Sequence, residues 1–286
     1  MKAGRTCRAG FSLIEILVAM AVLTMLMTFM FAMLGGTIRL WEQGNSQVEA
    51  AQAARIGLSK MALDVQSAMA ASATSTTPGG VTVITSIIPF LAVANANTAP
   101  GDWSNGSFTP AAGSDQMFGI RATGDPSDPF KEFGYLAIHA ANDWVNMRGN
   151  RYYLVQHTVN GTSGAADFYL RSPVSTWVSG GSGHRFPIID NCVRLELLYA
   201  SNNGTGITWT KTWGSETNLP LGVLATVIAI DSRTAERVAQ LNGGAALSAA
   251  DISTITNGGA PLPGIQTLLR NGAVVLRRFI PFRNAE

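Results

Sequence analysis

Apolar residues run almost unbroken from Phe11 to Ile38, and no charged residue falls between Ile16 and Ile38, a span of 23 positions. A helix rises about 1.5 Å per residue, so such a span crosses a hydrocarbon core of about 30 Å. Gly35 and Gly36 weaken it near its outer end. Beyond it the pattern becomes amphipathic. Val48, Ala51, Leu58, Met61, Ala62, Val65 and Met69 recur at helical spacing, with Arg55, Lys60 and Asp64 expected to face elsewhere. This predicts a continuing helix over 39–71, with Gly44 and Gly57 as soft points.

Residues 72–115 lose both charge and periodicity and are rich in Ala, Ser, Thr, Asn, Pro and Gly. Within them "VTVITSIIPFLAV" (81–93) reads as a buried strand and the rest as surface loops. From residue 116 the pattern is that of strands, placed at Met117–Ala122, Phe133–Ala140, Arg151–Gln156, Asp167–Arg171, Val193–Ala200, Thr208–Thr212, Ala225–Asp231 and Val274–Pro281. Turn signals at 148–150, 160–161, 180–181 and 203–204 separate them. Between the last two strands, short helices are expected around Ala235–Gln240 and Pro263–Leu269, and "ALSAADISTI" offers a serine N-cap. The fold class is therefore α+β, a long N-terminal helix packed on an antiparallel β-sheet head.

Charge sharpens the picture at the N-terminus. The chain has 286 residues and a formal charge of +2, but Lys2, Arg5 and Arg8 stand in the first ten residues without an acid. Without them, 17 basic residues face 18 acidic ones, so no basic stripe for nucleic acid remains. The basic residues precede the apolar span and should stay cytoplasmic, with the remainder extracytoplasmic. Cys7 lies in the basic leader, which leaves Cys192, beside Val193 and Leu195, as a small buried apolar residue.

Candidate chemistry in the head is sparse. His139, His157 and His184 form no HxH, HExxH or Cys–His pattern, and "GSGHR" (181–185) lacks the context of a hydrolase elbow. No phosphate-binding or dinucleotide motif appears, so neither an enzyme nor a cofactor is expected. Asp125 and Asp128 in "GDPSDP" supply too few oxygens for a calcium site and suit a turn better. The sequons at Asn105, Asn160 and Asn203 read as turns. Trp103, Trp144, Trp177, Trp209 and Trp213 are expected to cover a wide, thin core, with surface contact as the other use.

One carboxylate is out of place. In "RAGFSLIEILVAM" (8–20), Glu15 interrupts the apolar run at a depth where an uncompensated charge costs a few kcal/mol. A secretory signal would have a shorter apolar region followed by a small-x-small site. A plain signal anchor would explain neither Glu15 nor the preceding glycine. The stretch Gly10-Phe11-Ser12-Leu13-Ile14-Glu15 resembles the class III signal of the type IV pilin-like superfamily. That resemblance implies cleavage by a prepilin peptidase between Gly10 and Phe11, N-methylation of Phe11, and retention of the apolar segment as an assembly helix. It also implies a role for Glu15. In a low-dielectric filament core its carboxylate would pair with the Phe11 ammonium of a neighbouring subunit and set the axial register.

The head carries a second resemblance. "AARIGLSKMALDVQSA", "GYLAIHA", "RYYLVQHTV", "IIDNCVRLELLYA", "LPLGVLATVIAID" and the closing "RRFIPFRNAE" are similar in order to J-type minor pseudopilins of type II secretion and to W-type minor pilins. The stretch 72–115 and "RTAERVAQLNGGAALSAADISTI" depart from a compact member and resemble equally the large-headed prepilin-like proteins of the verrucomicrobial cassette type. The resemblance implies a pilin-like organisation: leader 1–10, transmembrane and assembly helix 11–38, amphipathic half 39–71, and a mainly β extracytoplasmic head 72–286. The expected function is that of a minor pilin or pseudopilin in a type II secretion pseudopilus or type IV pilus-like filament. Its partners would be other pilin-like subunits, the prepilin peptidase, the inner-membrane assembly platform and the membrane itself. The alternative is a membrane-anchored extracytoplasmic binding domain that does not polymerise.

Overall fold

The computed structural model describes residues 12–68, 90–95, 108–125, 128–143, 147–160, 184–213, 219–256 and 264–283. The expected strand at Asp167–Arg171 and Trp103, Trp144 and Trp177 lie outside the described residues. The chain divides into two compact units, residues 1–45 and 46–286. The first helix, α1, spans Leu13–Gln66 and contributes to both.

In the first unit the large apolar side chains from Leu13 to Trp41 are exposed, and the helix is long and apolar enough to cross a membrane. Its few hydroxyls are satisfied within the helix. Thr24 donates to the Ala21 carbonyl, Thr28 to Thr24 and Thr37 to Met33. A hydroxyl bonded in this way brings no unpaired polar group into an apolar medium.

The second unit is a two-sheet head. Its first sheet contains β1 (Phe90–Val93), β2 (Phe108–Pro110), β3 (Gln116–Asp125), β4 (Asp128–Ala140), β5 (Arg151–Asn160) and β6 (His184–Asp190). The order is β1-β3-β4-β5-β6, with β2 also pairing with β4, and every pair is antiparallel. Its second sheet contains β7 (Cys192–Asn202), β8 (Ile207–Thr210), β9 (Gly222–Ile230) and β10 (Ala273–Pro281), in the order β10-β9-β7-β8. Between β9 and β10 lie α2 (Ser232–Leu241), α3 (Ala249–Thr256) and α4 (Ile265–Gly272), the expected excursion. Ser248 and Asp251 cap α3 reciprocally, each side chain accepting from the other's backbone N–H.

The sheets meet through three stitches. Asn191, in the left-handed region at φ 56°, forms the turn between β6 and β7. Its N–H donates to Tyr152 of β5 and its carbonyl accepts from Ile230 of β9. Ala92 of β1 and Trp213, just past β8, exchange backbone hydrogen bonds. Finally, β8 covers β7 only from Tyr199 to Asn202. The N–H groups of Leu195 and Leu197 would be orphaned without the Ser114 hydroxyl and the Asp115 carboxylate, which accept from them. Burial pushes Asp115 above the usual carboxylate range, partly offset by the N–H groups of Leu197 and Asn95.

The main core gathers Leu58, Met61 and Val65 of α1, Tyr135 and Leu154 of the first sheet, and Leu197, Val223 and Val227 of the second. Leu136, Ile138, Tyr153 and Val155 point to the other face of the first sheet and form a smaller core with Phe108 and Met147. Cys192 is fully buried in the main core, which pushes its thiol up to about 12. His139 is buried against Tyr152, 4.8 Å between ring centroids, and His157 is buried on β5. His184 begins β6.

Three sequence expectations for α1 need correction. Val48 is 53% exposed instead of buried, and Ile56 and Leu63 are also exposed. Asp64 lies in the core and not on the solvent face. Gly57 is a close-packing point, because a Cβ there would fall 2.3 Å from the Ile189 side chain of β6. The helix ends at Gln66, and Ala68 already bridges to Arg121. Two strands were not anticipated. The three-residue β2 is too short for any periodicity, and β6 contains Pro187, which argues against a central strand. The structure places β6 at the sheet edge, with Pro187 beside the register shift at Leu154/Val155, where the lost N–H is tolerated.

Candidate functional site

Two carboxylates on α1 stand in apolar surroundings. The first is Glu15. The helix begins at Leu13, and the N–H of Glu15 donates to the Ser12 hydroxyl at 3.3 Å and to the Ser12 carbonyl at 3.0 Å. Ser12 is thus the N-cap and Glu15 the third helical residue, the serine-x-x-glutamate spacing of a capping box. That spacing is a purely local signal, present in the sequence itself. A carboxylate in the first turn also faces the positive end of the helix dipole, worth about 0.3–1 kcal/mol when exposed. The Glu15 side chain is exposed, and among the described residues it forms no ion pair. Gly10 and Phe11 lie outside the described residues.

The second is Asp64, which the head satisfies. Arg121 of β3 donates to Oδ1 at 2.8 Å. Tyr135 of β4 donates its hydroxyl to Oδ2 at 2.5 Å, and the Gln156 amide of β5 donates to the same oxygen. Gln156 also reaches the Tyr135 oxygen at 3.2 Å. Three adjacent strands therefore converge on one helical carboxylate. Burial, then the adjacent Asp64 charge, hold the Tyr135 phenol well above its ordinary range, so it remains a donor. This arrangement ties the head-proximal end of α1 to three strands of the first sheet.

The remaining sequence candidates are dispersed. Asp125 and Asp128 are paired across the β3–β4 hairpin end. Asn203 forms the β7–β8 turn, where its side-chain oxygen accepts from the N–H groups of Thr205 and Gly206. Trp213 packs against the main core, whereas Trp209 on β8 is 48% exposed and meets Phe279 of β10 edge to face, 6.1 Å between centroids.

With this geometry in place, comparison with known families is decisive for one segment. Residues 5–31 match the model of the prokaryotic N-terminal methylation motif. The matched stretch contains Gly10, Phe11 and Glu15 and runs well into the exposed apolar part of α1. The chain therefore carries a prepilin-type signal on a pilin-like architecture of long helix and antiparallel head. No match was found among curated proteins.

Proposed function

We propose that this protein is a structural minor pilin or pseudopilin, a subunit of a type II secretion pseudopilus or type IV pilus-like filament. The observation that carries the reading is the methylation motif at 5–31, continued by a helical segment whose large apolar side chains are exposed from Leu13 to Trp41. In this reading prepilin peptidase cuts after Gly10, where a small side chain is needed, and methylates the Phe11 amine. The leader stays cytoplasmic, α1 holds the protein in the inner membrane, and the head lies outside it. Assembly then transfers the exposed helix from lipid to a bundle of neighbouring helices. Glu15 pairs with the Phe11 ammonium of an adjacent subunit, because a carboxylate leaving water needs a cation to remain charged.

The exposed positions Val48, Ile56 and Leu63 support lateral packing by the head-proximal part of α1 as well. They recur at steps of 8 and 7 residues and so form one stripe. The minor-subunit assignment rests on bulk. The three-helix excursion between β9 and β10 thickens the head, and bulky heads crowd one another in a filament of small axial rise. Mass spectrometry of the membrane-extracted protein tests the processing step. The wild type should begin at methylated Phe11, and Gly10→Val should retain its leader. Another mature N-terminus would reject the reading. A protein that dominates the mass of sheared filaments would reject the minor role alone.

A further inference from the structure

The strand β10 is an edge of the second sheet, and among the described residues it pairs on one side only, with β9. The register runs without a shift from Ala273↔Ile230 to Pro281↔Gly222. The hydrogen bonds that bracket the strand reveal which of its backbone groups are used. Asp231 N–H donates to the Gly272 carbonyl at one end, and Phe282 N–H donates to the Leu221 carbonyl at the other. Both lie in the same register as the strand pair, so the even-numbered residues exchange hydrogen bonds with β9. The odd-numbered Val275, Arg277 and Phe279 turn their N–H and C=O groups to the open side. Pro281, the next odd residue, has no N–H and ends this row.

The side chains of the same three residues lie on the outer face of the sheet and are exposed. Phe279 is 49% exposed and held in place, its ring lying 2.3 Å from where a Gly222 Cβ would stand and meeting Trp209 at its edge. Charge on this edge has one sign. Between Asp251 and Glu286 the chain has four arginines and no acid. In register with Arg277 on the outer face, two strands away, stands Glu196, which is engaged with Arg194 at 2.8 Å. Arg278, on the opposite face, donates to Ser59 of α1 at 2.9 Å.

We propose that the open edge of β10 docks an extended acidic segment of a partner protein by strand addition. The partner's backbone hydrogen-bonds to Val275, Arg277 and Phe279, a carboxylate pairs with Arg277, and an apolar side chain rests against Phe279. A second copy of this chain is a poor occupant. Its β1 and β8 edges carry no acid, its β6 combines one aspartate with Arg185 and Pro187, and its own β10 would set arginine against arginine. The site does not depend on whether the chain polymerises.

The test uses the full-length protein in zwitterionic micelles and a capped nine-residue peptide of alternating glutamate and valine. Saturating peptide should slow amide exchange at Val275, Arg277 and Phe279 by about tenfold or more, leaving Leu276 and Arg278, already bonded to β9, unchanged. A lysine–valine peptide should bind about tenfold more weakly, and Arg277→Glu should reverse that preference. Val275→Pro removes one outward N–H but no bond to β9, so it should keep the native circular dichroism and lose peptide binding. No protection by the acidic peptide, or protection elsewhere, would overturn the proposal. So would protection that rises with protein concentration alone, which assigns the edge to a second copy, or protection by anionic micelles without peptide, which assigns it to a lipid surface.

Discussion

Glu15 and Asp64 are both carboxylates on α1 that interrupt apolar sequence, and the structure treats them in opposite ways. Asp64 is 2% exposed and receives donors from three strands of its own chain. Glu15 is exposed, and its described neighbours are Leu13, Ile14, Ile16 and Leu17, themselves exposed and apolar. A buried carboxylate needs its partners at hand, because desolvating an ion costs several kcal/mol. Among the described residues Asp64 has such a shell and Glu15 has no ion pair, which is the state expected if, as proposed, the partner of Glu15 comes from a neighbouring subunit. In the proposed function the contrast is between a carboxylate that serves folding and one that would serve assembly.

The sharpest way to break that contrast is Glu15→Leu. In the proposed role it should abolish incorporation into filaments, measured as subunit content of sheared fibres, while leader removal and the unfolding midpoint of the head stay unchanged. Normal assembly by this variant would dissolve the distinction. Asp64→Ala should do the reverse. It leaves the buried Tyr135 hydroxyl and the part-exposed Arg121 without their acceptor and should destabilise the head by about 3 kcal/mol, the low end for a broken buried pair, in chemical denaturation. Leader cleavage should persist.

Smaller changes sharpen the same comparison. Tyr135→Phe removes one donor to a charged acceptor but leaves Arg121 and Gln156 in place, so a loss of about 1.5–3 kcal/mol is expected. The smallest effect concerns Asp115, a buried carboxyl whose folded-state pKa is raised above that of the unfolded chain. Its contribution to stability is therefore fully present below about pH 4, the unfolded value, and is lost as pH rises through the folded value. Asp115→Asn should flatten the denaturation midpoint across that window. A wild-type midpoint without such a slope would show that the Leu197 and Asn95 N–H groups outweigh burial.

The N-terminal half of α1 was readable because its determinants are local. An uncharged run of 23 residues, a basic leader, a glycine and one glutamate stand within a few turns of one another. Most strands of the head were readable too, since short β-branched, aromatic and apolar runs bounded by turn residues mark β3, β4, β5, β7, β9 and β10 within their own lengths. The β6 strand was not, because Pro187 is disqualifying until its partner Val155 and its place at the edge are known.

Asp64 shows where local pattern loses its force. Helical periodicity sets it off the apolar stripe along with Arg55 and Lys60, which are exposed. Its burial depends on Arg121, Tyr135 and Gln156, which lie 57, 71 and 92 residues away in the chain and meet only when three strands pair. The open side of β10 has the same origin. The apolar, β-branched composition of its residues predicts a strand, but an edge is a property of sheet order, set by which long-range pairings form and which do not. Short-range chemistry thus specified the long apolar helix, its prepilin-type signal and most strands, whereas charge burial and the order of strands in each sheet emerged from contacts between residues distant along the chain.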